Sequence, residues 1–133
     1  MAVKILIADD HEIVRQGIRR VLEVKPEWEI CGEACNGQEA VRMAQELSPD
    51  IIIMDVTMPV MSGFEAADEI SRLPLGSRVL FFTMHDSGSM AGSIRKSGAH
   101  GYVVKSRAAQ DLVQALERLL TGGTFFDSGM YAH

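Results

Sequence analysis

A chain of 133 residues with 47% hydrophobic side chains can bury one real core, which excludes a disordered tail and leaves no comfortable room for two domains. Its net charge of −5 gives no sign that this stretch itself grips nucleic acid. No apolar run approaches the ~20 residues of a bilayer span, and Asp9 and Asp10 interrupt the N-terminus before any signal-peptide core forms, so the cytoplasm is the expected compartment.

In chain order, VKILIA (3–8) is a continuous apolar run and reads as a buried strand. Ile13, Val14, Gly17, Ile18, Val21 and Leu22 then recur at helical spacing. WEICGEA (28–34) alternates as a half-covered or edge strand does, and Ala40, Val41, Ala44 and Leu47 mark a second helix. Cys31 and Cys35 fall in that strand region, where four extended residues at ~3.3 Å each separate them by roughly 13 Å. That exceeds disulfide reach, so both are expected as small buried hydrophobes. The histidines at 11, 85, 100 and 133 are too scattered for zinc.

DIIIM (50–54) is the third strand, with three isoleucines stiff at χ1 and suited to burial on both faces. Pro59 and Gly63 break the strand, and Phe64, Ala67, Ile70 and Leu73 mark the third helix. RVLFFT (78–83) is the fourth strand, and DSGSMAGSIRKS (86–97) is a weak helical stretch. GYVV (101–104) is the fifth strand, followed by Leu112, Val113, Leu116, Leu119 and Leu120 on the last helix. Apolar strands alternating with helices predict a parallel sheet covered on both sides, joined by right-handed crossovers into a doubly wound α/β fold.

Ligands of such sheets bind outside the carboxyl ends of the strands. Here those ends carry Asp9 and Asp10, Asp55, Thr83 and Lys105. Each has an ordinary explanation alone: Asp10 as a helix cap, Asp55 as a turn initiator, Thr83 as a strand end, Lys105 as a solvated charge. Their joint placement in one crevice is much harder to explain that way. Three carboxylates this close repel, and a hard cation such as Mg²⁺ removes the repulsion. Lys105 and Thr83 supply a point charge and a hydroxyl donor for an anion. A carboxylate, a Mg²⁺ site and a phosphate-binding pair describe phosphoryl transfer onto Asp55.

Three rival readings are weaker. A Mg²⁺-dependent phosphohydrolase of the haloacid-dehalogenase kind needs a second Asp two residues after the nucleophile, where this chain has Thr57. A flavodoxin-like or Rossmann nucleotide binder needs a glycine-rich turn after the first strand, which here reads DDHEIV. A degenerate interaction module would not need the complete acidic set.

DVTMPVMSG (55–63) resembles the phosphoacceptor loop of receiver domains from bacterial two-component response regulators, a likeness covering about residues 3–121. ADDHEIVRQGIRRVL (8–22) and GAHGYVVK (98–105) are similar to the NarL/FixJ class, whose members carry a LuxR-type helix-turn-helix domain after the receiver. The resemblance implies a flavodoxin-like sheet in the order 2-1-3-4-5 with five helices. It implies that Asp55 accepts a phosphoryl group from a histidine kinase. Asp10, Asp55 and the backbone carbonyl of Thr57 would hold Mg²⁺, with Asp9 assisting through water. Lys105 and Thr83 would bind phosphoryl oxygens, and Tyr102 would turn inward as Thr83 moves. Such a chain catalyses only its own phosphorylation and dephosphorylation.

The implied output is a homodimer formed on phosphorylation, with DNA bound only through a C-terminal domain. Residues 1–122 would be the receiver, and residues 123–133 a tail that resembles the start of the class's linker. The chain therefore reads as a piece of a longer regulator, the alternative being a stand-alone receiver acting through protein contacts. The weak helix near 86–97 is the expected moving element. Gly88 and Gly92 each cost roughly 1 kcal/mol against Ala, its serines offer competing backbone bonds, and only Met90, Ala91 and Ile94 can anchor it. It is expected to be short, displaced or poorly ordered before phosphorylation.

Overall fold

A computed structural model of the protein describes residues 2–84, 92–94 and 96–126. β1 (Val3–Ala8), β2 (Trp28–Ala34), β3 (Ile51–Asp55), β4 (Arg78–Thr83) and β5 (Gly101–Val104) form one parallel sheet in the order β2-β1-β3-β4-β5. The helices are α1 (Glu12–Leu22), α2 (Gly37–Leu47), α3 (Gly63–Ser71), α4, of which residues 92–94 and 96 are described, and α5 (Ala108–Leu120). This is the expected flavodoxin-like arrangement.

Period-two alternation sorts each strand's side chains into two cores. Leu6, Ile52, Met54 and Phe81 face α2, α3 and α4, meeting Ala44, Ala67, Ile70 and Ile94. Ile5, Ile7, Ile53, Leu80 and Val103 face α1 and α5, meeting Ile18, Leu22, Leu112 and Leu116. Every residue of β3 is buried, as its unbroken apolar run requires. Asp55 is the last residue of that strand, so the most buried strand delivers the carboxylate.

Two expectations need adjustment, and a third lies mostly outside the described residues. Leu73 lies beyond the end of α3, whose last residue is Ser71. Cys35 follows β2 and is exposed, and Cys31 is half-buried, so neither thiol is the fully buried hydrophobe expected. The strand simply ends one residue before Cys35. Of the weak helix near 86–97, Ile94 is fully buried, and residues 85–91 and 95 lie outside the described residues. How far that helix is short or displaced therefore lies outside them too.

The chain after α5 folds back. Tyr102 N–H donates to the Phe125 carbonyl at 2.7 Å and Phe125 N–H donates to the His100 carbonyl at 3.1 Å, a short parallel bridge on the outer edge of β5. Phe125 is fully buried in the α1/α5 core and Phe126 is 8% exposed in the opposite one. Gly101 permits the approach: a Cβ there would stand 2.4 Å from the Phe125 carbonyl oxygen. The first residues of the expected tail thus pack onto the domain.

Candidate functional site

The carboxyl ends of β1, β3, β4 and β5 open onto one cleft of about 540 Å³, lined by Asp10, His11, Asp55, Thr57, Thr83 and Lys105 among others. The loop after β3 is folded tightly over it. Gly63 N–H donates to the Val56 carbonyl at 2.8 Å, and a Cβ on Gly63 would meet the Asp55 carbonyl at 2.2 Å. Ser62 then starts α3 with a capping box, its hydroxyl accepting from Glu65 N–H and the Glu65 carboxylate accepting from Ser62 N–H. Between them Met61 N–H donates to the Pro59 carbonyl at 2.7 Å, a three-residue turn with Val60 at φ 70°. A β-branched residue in that region is strained, and here it directly follows Pro59, which lines the cleft.

Asp9 follows β1 and is 1% exposed. Its Oδ1 accepts the His11 N–H at 2.8 Å, and its Oδ2 lies 3.0 Å from Lys105 Nζ. That second contact has an ion pair's distance without a hydrogen bond's direction, and Oδ2 is otherwise a buried oxygen with no donor. Asp55 is 5% exposed; its Oδ2 accepts from Lys105 Nζ at 3.2 Å and its Oδ1 from Thr57 N–H at 3.3 Å. One ammonium thus serves two buried carboxylates. Burial pushes the Asp55 carboxyl above its ordinary range; Lys105 and the Thr57 N–H oppose the rise, and the neighbouring Asp9 charge adds to it.

Asp9, Asp10, Asp55 and His11 each bring a ligand atom within 4.8 Å of the others. Hard carboxylate oxygens, one of them lacking a donor, suit a hard divalent cation, so the cluster could hold a metal. Thr83 is 3% exposed at the end of β4, and Thr57 is exposed on the rim. Tyr102 is 5% exposed and already packed inward, in the core that contains Phe81.

The strand-end residues picked from sequence therefore meet in one place. Two neighbours were missed. His11 Nδ1 lies 3.1 Å from Asp9 Oδ1 and 3.2 Å from Asp10 Oδ1, yet its side chain is 64% exposed. Its position directly after the paired aspartates was the available signal. Arg15, on α1, carries no such signal.

The chain matches the response regulator receiver domain family over residues 5–117. It is 36% identical over 124 residues to the transcriptional regulatory protein DegU of Brevibacillus brevis, covering 92% of this chain and 52% of that protein. It is 33% identical over 118 residues to the nitrate/nitrite response regulator protein NarL of Escherichia coli, covering 89% and 55%. A crystal structure of a LuxR-family two-component response regulator from an Aurantimonas species superposes with a TM-score of 0.91 at 38% identity, covering 99% of this chain and 94% of that one. The chain spans about half the length of these curated relatives. With this fold and this strand-end constellation, the chain belongs to the response regulator receiver domain family, in its NarL/LuxR-type class.

Proposed function

We propose that the domain is a phospho-accepting signalling switch in which Asp55 receives a phosphoryl group from a histidine kinase. The observation that carries this reading is Asp55 itself, a buried carboxylate at the cleft with Lys105 Nζ at 3.2 Å and two further aspartates within 4.8 Å. An Asp55 oxygen attacks the phosphorus of the kinase's phosphohistidine; the P–O bond forms, the P–N bond breaks, and the departing imidazole takes a proton. Lys105 moves from sharing Asp9 and Asp55 to binding a phosphoryl oxygen, and the Thr83 hydroxyl donates to another. Bound Mg²⁺, held by Asp10, Asp55 and the Thr57 carbonyl with Asp9 assisting through water, would offset the charge gathered there.

The new contacts shift the domain between two arrangements through Thr83 and Tyr102, and the changed surface favours a homodimer. In a full-length regulator the output is transcription, through a C-terminal DNA-binding domain following the receiver. The domain itself catalyses only its own phosphorylation and dephosphorylation. The cytoplasm is the setting proposed for such a switch; no described helix is long and apolar enough to cross a membrane.

Incubation with acetyl phosphate and Mg²⁺ should add one phosphoryl mass to the chain and none to Asp55→Asn. Chelating the metal should abolish the addition. An unchanged mass shift in Asp55→Asn would overturn the assignment.

A further inference from the structure

One side chain of α1 reaches back to the site without lining the cleft. Arg15 has a side chain only 12% exposed. Its NH1 donates to the backbone carbonyl of Asp9 at 2.6 Å, and its Nε donates to Glu33 Oε1 on β2 at 2.9 Å. Arg19, one turn on, pairs with the other Glu33 oxygen. A single guanidinium therefore ties the helix, the edge strand and the loop between Asp9 and Asp10 into one unit.

The carbonyl that Arg15 holds belongs to the peptide whose N–H is that of Asp10, so fixing its plane fixes the direction in which Asp10 leaves the strand. Asp10 needs that help. Among the described residues its carboxylate has one close ionic neighbour, His11 Nδ1 at 3.2 Å, on a side chain that is 64% exposed. Without a cation, repulsion from Asp9 and Asp55 disfavours holding Asp10 in the cluster. The backbone clamp opposes that tendency, and a planar fork spanning a carbonyl and a carboxylate is something an ammonium cannot reproduce.

We propose that Arg15 is a positioning residue for the divalent-cation site, presetting the Asp9–Asp10 peptide and so setting cation affinity without touching cation or phosphoryl group. This rests on the reading that the acidic cluster holds Mg²⁺. Residues that orient ligands from behind typically change metal affinity by 10–100-fold when altered.

Titration calorimetry with MgCl₂ tests it on the intact chain, alongside thermal melting. Arg15→Met and the charge-keeping Arg15→Lys should each weaken Mg²⁺ binding about tenfold. The Mg²⁺ concentration giving half-maximal phosphorylation by acetyl phosphate should rise by the same factor, with a smaller change in the rate at saturation. Arg19→Met loses a Glu33 contact but none to Asp9, and should keep its affinity within about twofold whatever it does to melting. A folded Arg15→Lys with unchanged affinity would overturn the proposal, as would an Arg19→Met loss equal to that of Arg15. If Arg15→Met fails to fold, Arg15→Lys decides. A wild-type chain that binds no Mg²⁺ would overturn the cation reading first and this inference with it.

Discussion

Lys105 shows why single residues of this site can be read from sequence and others cannot. A parallel sheet buried on both faces leaves functional groups little room except at strand ends, so Asp9, Asp55, Thr83 and Lys105 are marked by the apolar runs before them. Arg15 has no such marker, because a guanidinium on a helix is most often a solvated charge, and only the fold brings it to the Asp9 carbonyl. His100 is a similar case away from the site. Its Nδ1 accepts the Val79 N–H at 3.1 Å and must be unprotonated to do so. Burial, with the nearby Arg78 charge second, holds the ring below its ordinary pKa of 6.5. Above pH 6.5 the ring is neutral in both folded and unfolded chains; below it the unfolded chain takes the proton first and stability declines, until the folded ring's lower pKa is passed. Urea unfolding across the acid side of neutrality should show uptake of up to about one extra proton on unfolding, and His100→Gln should flatten that slope. An identical pH dependence in the variant would remove His100 as its source.

At the scale of elements, type and order were legible and edges were not. The all-buried β3 and the alternating β2 announce a central and an edge strand, and the sheet places them so. The three-residue turn at Val60 left no trace in the sequence, because nothing about valine predicts a φ of 70°. Neither did the inward packing of Tyr102, since either orientation suits a strand aromatic. The stretch 86–97 carries two glycines and four serines against few apolar anchors, and it lies between Thr83 and Tyr102. Its amides should exchange faster than those of α5, and phosphorylation should slow them, as hydrogen exchange read by mass spectrometry can show. Exchange as slow as in α5 and indifferent to phosphorylation would leave the segment without a switching role.

For the whole molecule, the question is whether a charge change at one end of the sheet alters association. Moving a two-state equilibrium from 1:99 to 99:1 takes about 5.5 kcal/mol, within reach of several charge-assisted contacts from Lys105 and Thr83 to a phosphoryl group. Sedimentation velocity should show a monomer that becomes a dimer when a beryllofluoride mimic and Mg²⁺ are added. Asp55→Asn and Lys105→Ala should each abolish that change. The same association state with and without the mimic would count against dimerisation as the output.

The docked segment after α5 has a consequence for colloidal behaviour. β5 ends the sheet, and an open edge strand offers a template on which another chain can pair and aggregate. Here the outward-facing Tyr102 N–H and His100 carbonyl are already taken by Phe125 of the same chain. Phe125 and Phe126, one in each core, fasten that cover on both sides of the sheet. The protein therefore shields its own growing edge, and any side chain larger than hydrogen at Gly101 would lift the shield and leave the edge adhesive to other copies.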